Sequence, residues 1–192
     1  MTKSIEFYYD FTAPYSFLAH KKIREIEKKE SINFIYKSIL LGRLHNLKGI
    51  TASAFIASEK KFMIQDYEIV AKKSNINFKF NDKFSINTLN LMRGILIIKK
   101  ELKNKYIDLF FDPYWSFNID LPEETNIKNI LEKIQINANT FFNNIDELET
   151  KDLLKNLTKE SFDKKIFAAP TFIVNNKLFW GQDRFDYVID EF

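Results

Sequence analysis

The sequence predicts an α/β chain in which a βαβ unit opens the fold, a ββα unit closes it, and helices fill the span between them. Three observations predict this. Ile5 to Tyr9 is a short aromatic run, Ile32 to Tyr36 alternates apolar and polar residues, and a helical pattern lies between them. Thr171-Phe172-Ile173-Val174 and Lys177-Leu178-Phe179-Trp180 flank the pair Asn175-Asn176, whose side chains tolerate positive φ, so they read as a hairpin. Between about Leu40 and Thr158 the apolar residues recur at helical spacing.

Taken in order, Ile5 to Tyr9 is an aromatic strand ended by Asp10. Pro14 then opens a helix whose apolar stripe is Phe17, Leu18, Ile23 and Ile26. Proline suits a first helical position because no N–H is needed there. In the central block, Lys60 to Lys73 carries Phe62, Met63, Tyr67 and Val70 on one side. Thr88 to Leu102 carries Leu89, Met92, Ile95 and Leu96. A helix over Lys105 to Tyr114 is expected to end at Pro113. Asn126 to Lys133, Asn137 to Asn143 and Glu147 to Asn156 read as shorter helices separated by Asn/Asp-rich breaks. Asp183 to Phe192 closes the chain as a helix with Phe185, Val188, Ile189 and Phe192 apolar. The sum is a thioredoxin-like βαβ…ββα sheet with an all-helical insertion. The expected division is 1–39 and 159–192 for the thioredoxin-like domain, and 40–158 for the helical insertion.

Composition narrows the function classes. The chain has 192 residues, 45% hydrophobic and 16% aromatic, enough to bury a sizeable core and unlike a disordered polypeptide. Its 29 basic and 26 acidic residues are interspersed, which argues against a nucleic-acid partner. The absence of cysteine excludes disulfides, thiolate metal ligands and a cysteine nucleophile. Met1-Thr2-Lys3-Ser4 leads straight into the first strand with no apolar signal segment, and no long apolar run follows, so a soluble, cytoplasmic chain with no membrane partner is expected. His20 falls within the first helix and His45 in a loop, and each is read as a surface or satisfied histidine. No metal set emerges.

Four segments, in order along nearly the whole chain, resemble one family. They are Phe7-Tyr8-Tyr9-Asp10-Phe11-Thr12-Ala13-Pro14-Tyr15-Ser16, Asn87-Thr88-Leu89 through Arg93, Tyr114-Trp115, and Phe167-Ala168-Ala169-Pro170-Thr171 with Trp180-Gly181-Gln182-Asp183-Arg184. Together they are similar to the 2-hydroxychromene-2-carboxylate isomerase / kappa-class glutathione transferase family, of DsbA-like thioredoxin fold. The resemblance implies glutathione as cofactor and a small aromatic substrate, and leaves a homodimer open. It places a cis Pro170 beside Ala169, whose backbone N–H and C=O would pair with the extended tripeptide. It places Gln182 and Asp183 at the γ-glutamyl end, and Ala13 and Pro14 against the sulfur.

The chain departs from that pattern where the chemistry lies. Ala13 stands where the family has the serine facing the sulfur, and leaves Thr12 and Ser16 as the hydroxyls that would act on a thiolate. A thiolate at a helix N-terminus is stabilised by unpaired N–H groups and the helix dipole, and a nearby hydroxyl lowers the thiol pKa further. Ile50 replaces an Asn. Either Glu59 or, one residue on, Lys60 takes a position where a Lys usually meets the glycyl carboxylate. Ala168 replaces a Gly. Two readings follow: a glutathione-dependent isomerase or transferase, or a catalytically silent binding protein with the same groove. Disulfide exchange is excluded by the missing cysteines.

Overall fold

The computed structural model describes residues 4–192; the reading of Met1, Thr2 and Lys3 lies outside them. Four strands form one mixed sheet in the order β2-β1-β3-β4, with β1 Ile5–Tyr9, β2 Phe34–Ser38, β3 Thr171–Val174 and β4 Lys177–Trp180. β1 runs parallel to β2, with Phe7 opposite Tyr36, and antiparallel to β3, with Phe7 opposite Phe172. A parallel pair needs a crossover, and α1 (Pro14–Lys29) supplies it. Asn175 and Asn176 take φ of 48° and 62° at the hairpin. β1 is central, and its aromatic residues pack into the core: Phe7 stacks on Phe172 at 5.1 Å and meets Tyr36 edge-on at 5.0 Å.

The insertion holds α2 (Leu41–Lys48), α3 (Ala57–Lys73), α4 (Leu89–Ile97), α5 (Lys103–Phe117), α6 (Glu124–Glu132), α7 (Ala138–Asp146) and α8 (Leu148–Asp163). Then α9 (Phe185–Glu191) follows the hairpin. α8 crosses the expected boundary between 158 and 159.

Several expected helices differ. Pro113 does not end α5, which continues for a further turn to Asn118 in the left-handed region. The proline removes one amide, but burial of Tyr114 and Trp115 holds the last turn, and the Pro113 carbonyl accepts the N–H of Asn118 and of Ile119. Thr88 to Leu102 is not one helix: α4 leaves off at Ile98, which turns extended with its side chain buried, and a 3-10 turn follows at Lys100–Leu102. Asn156 does not end α8, because it lies on the exposed face. Phe62 is 66% exposed, so the inward side of α3 is Met63, Tyr67, Val70 and Ala71 instead. Helix α2, with His45 on it, stands where a loop was expected.

One core runs through both halves. Phe11, Phe17, Phe110, Phe111 and Trp115 are fully buried between the sheet unit and α5. Buried polar groups bolt the halves together at defined points. The Trp115 indole donates to the Phe11 carbonyl at 2.9 Å. His20, with no exposed surface, sits between Asp108 of α5 at 2.7 Å and the Tyr36 hydroxyl at 2.8 Å. Burial holds the His20 imidazolium below its ordinary range despite Asp108, so the ring is neutral. The carboxylate can only accept, so Nε2 carries the proton and Nδ1 accepts from Tyr36. His20 is thus the satisfied histidine that was expected.

Candidate active site

The sheet unit and the insertion enclose a cavity of about 630 Å³. One wall is the β1–α1 turn with the Phe167–Ala169 segment and Trp180. The other is α2, the loop that follows it to Phe55, Met63 and Tyr67 of α3, and the Phe84–Leu89 approach to α4. Aliphatic and aromatic side chains dominate both walls, as in sites that take small organic ligands.

The α1 end of the cavity is built from main-chain groups. Ala13 is the N-cap residue, with φ −94° and ψ 111°, and offers no side-chain cap. Its carbonyl takes the N–H groups of Ser16 and Phe17 at 2.9 and 3.2 Å. Pro14 has no N–H, so the Tyr15 amide is the first donor of the helix, and it has no partner among the described residues. Thr12 lines the cavity, and its hydroxyl has no partner among the described residues. Across from it, the Ala169-Pro170 bond is cis as expected. The Pro170 carbonyl accepts from Gly181 N–H at 3.0 Å, while the N–H and C=O of Ala169 have no partner among the described residues.

Of the expected site residues, Thr12, Ala13, Pro14 and Ala169 line the cavity, and Pro170 lies immediately behind Ala169. Ser16 does not: its hydroxyl is fully buried inside α1 and away from the lining. Gln182 and Asp183 also lie outside it, in the 3-10 turn before α9. The Gln182 side-chain oxygen accepts from Lys22 at 3.0 Å, and Asp183 is exposed, 3.7 Å from the Arg184 guanidinium.

Sequence reasoning missed two features. Asp10, 1% exposed, is the corner post: Oδ1 accepts the Thr12 amide at 3.1 Å and the Thr88 hydroxyl at 2.6 Å, and Oδ2 accepts the Leu41 amide at 2.9 Å. Three chain segments are fixed on one carboxyl. Burial pushes that carboxyl above its ordinary range, against the pull of those donors. The second is α2, which brings Arg43 and His45 to the cavity wall. Arg43 has no ion pair among the described residues. Tyr15 and Tyr67 also line the wall, packed edge-on at 4.5 Å, and the Tyr15 hydroxyl donates to Asp66 at 2.5 Å. No group of three His, Cys, Asp or Glu among the described residues could hold a metal ion. No helix among them is long and apolar enough to cross a membrane.

The DsbA-like thioredoxin domain matches residues 4–192. The chain belongs to that family. Within it, the 2-hydroxychromene-2-carboxylate isomerase of Sphingobium xenophagum is 21% identical over 190 residues, covering 98% of this chain and 97% of its own. Glutathione S-transferase kappa 1 of Caenorhabditis elegans is 23% identical over 202 residues, covering 97% and 89%. A solved 2-hydroxychromene-2-carboxylate isomerase superposes with a TM-score of 0.89 at 19% identity, over 97% of this chain and 92% of that one. These likenesses agree with the resemblance that the four segments carry.

Proposed function

We propose that this DsbA-like protein is a glutathione-dependent isomerase or kappa-type transferase acting on a hydrophobic aromatic electrophile. One observation carries the reading: a single cavity joins the unpartnered Ala169 backbone edge, the uncapped start of α1 and a broad apolar wall. The residues present fit glutathione. Ala169 would pair with the peptide backbone through its N–H and C=O, as an added strand does. The Tyr15 amide and the Thr12 hydroxyl would face the sulfur, since they are free donors at a helix N-terminus. When bound, glutathione would supply a thiolate nucleophile for addition to an electrophilic carbon. Arg43 on the α2 wall, with no ion pair among the described residues, favours an acidic substrate. The apolar faces of Phe84, Ile86 and Trp180 suit its ring.

A second reading is a catalytically silent binding protein. Ala13, with no side-chain cap, favours it because the family's hydroxyl at the sulfur is gone. One experiment tests binding and a second divides the readings. Melting is measured with and without about 10 mM glutathione; a Kd of about 0.1 mM would add about 2.7 kcal/mol to native stability and raise the midpoint by several degrees. No rise would overturn both the enzyme and the glutathione-binding alternative. A rise, followed by glutathione-dependent turnover in a screen of unsaturated aromatic acids, supports the enzyme; a rise with no turnover supports the silent protein.

A further inference from the structure

If the α1 terminus stabilises a thiolate, something in the cavity must take the thiol's proton. The donors at that end cannot: the Tyr15 amide and the Thr12 hydroxyl stabilise negative charge but are not bases at neutral pH. The ionisable side chains of the lining are Asp10, Tyr15, Arg43, His45 and Tyr67. Asp10 is engaged by three donors, two of them backbone amides. Tyr15 spends its hydroxyl on Asp66, and both it and Tyr67 are held by burial above the ordinary phenol range, so both stay protonated. Arg43 is permanently charged.

His45 is the one that remains. Leu41 begins α2 with its amide on Asp10, and Leu44 is buried in the small cluster that includes Ala13 and Ala169. The first turn of α2 therefore abuts the same corner as the sulfur site. His45 follows one turn after Leu41, and residues four apart share a helix face; both line the cavity. Neither ring nitrogen of His45 has a hydrogen-bond partner among the described residues, and the ring is half-buried. Burial alone keeps it below its ordinary range: no charge on α2, none on α8 packed beside it, and no other ionisable group of the lining perturbs it. It is neutral and able to accept a proton at pH 7.

We propose that His45 is the proton acceptor of this site, taking the S–H proton of a bound thiol so that the sulfur is left as thiolate and the imidazole as imidazolium. The inference rests on the glutathione reading above. After the thiolate has added and been eliminated again, the imidazolium N–H returns the proton to sulfur, and the balance closes with no other reactant. Positioned general bases contribute about 10²–10⁴-fold, so the arrangement would offset the missing hydroxyl at Ala13.

The test uses the full chain and glutathione. Binding is read from the melting shift, thiolate from its ultraviolet absorbance against pH, and the histidine from its ring-proton NMR titration, which is resolvable because the chain has 2 His. In the wild type with glutathione, thiolate and imidazolium should appear together, so that His45 titrates higher in the complex than alone. In His45→Gln the melting shift should stay within about twofold in Kd, while the thiolate fraction at pH 7 drops by about tenfold or more. An unchanged thiolate fraction in His45→Gln, or a His45 titration indifferent to glutathione in the wild type, overturns the inference and leaves the glutathione reading standing. A wild type with no melting shift overturns both.

Discussion

Asp10→Ala removes the carboxyl on which three chain segments lining the cavity converge. Its carboxyl accepts from Thr12, Leu41 and Thr88 at 3.1, 2.9 and 2.6 Å, and it is 1% exposed. Hydrogen bonds to a charged group contribute about 1.5–3 kcal/mol each, so three of them total roughly 4–9 kcal/mol gross. Two effects reduce this. The wild type already bears the cost of burying the carboxyl, which its raised pKa reports. The orphaned donors also face a cavity large enough for water to replace part of the loss. The net destabilisation should be about 2–4 kcal/mol, a large share of the 5–15 kcal/mol typical of a domain. Urea unfolding followed by circular dichroism measures it, with the slope checked so that the midpoint change reports stability. The same variant should bind glutathione at least several-fold more weakly, since the Thr12–Ala13 turn loses its tether. A midpoint within about 0.5 kcal/mol of wild type would refute the reasoning, because surface substitutions alone reach that size.

Two further outcomes are expected. Ala13→Ser puts a hydroxyl at an N-cap whose backbone is already in the required β region, opposite the free Tyr15 amide; it should stabilise by about 0.5–2 kcal/mol and increase the thiolate fraction of bound glutathione. No gain on thermal unfolding would mean that the Tyr15 amide is already satisfied. His20 is buried neutral, so its folded pKa lies below its ordinary 6.5 and the unfolded chain binds the extra proton between the two. The stability is therefore fully present above about pH 6.5 and is lost as pH falls toward the folded value. Urea midpoints at pH 7.5 and 5.5 should show this slope in the wild type and less of it in His20→Gln; an equal slope in both would exclude His20 as its source.

The sheet was legible because its signals are local, although β2, read as Ile32 to Tyr36, runs Phe34–Ser38. β1 is an aromatic run, β3 and β4 flank an Asn pair, and each boundary is set by residues within the element itself. Most helices were legible in rough position but not in their ends. Pro113 and Asn156 carry helix-breaking propensity, and tertiary burial of Trp115, Leu154 and Thr158 overrides it. α2 was missed because it is short and buries only Leu44, yet Gly49, at φ 68°, was a legible stop signal after Leu41-x-x-Leu44. At the site, the β1–α1 turn and the Ala169-Pro170 bond carry sequence motifs and were found. Asp10 and His45 were not, since their importance depends on which other segments fold against them. Ser16 was read as a site hydroxyl from its proximity to Pro14, but three residues into a helix the chain has turned, and its side chain points into the core.

The binding and the chemical parts of this cavity depend on different kinds of groups. The Tyr15 amide and the Ala169 N–H and C=O belong to the main chain, and their direction is set by the α1 start, by the hairpin and by Asp10. Side-chain substitution at position 13 leaves all of them in place. Proton handling, in contrast, depends on side chains, and there the chain differs from the pattern it resembles: a hydroxyl is absent at Ala13, while an imidazole stands on the opposite wall. Loss of the serine is therefore a poor guide to loss of the ligand. Arg43 and His45, neither of them paired among the described residues, line the same largely apolar cavity. An anionic ligand would bring a partner to each of them.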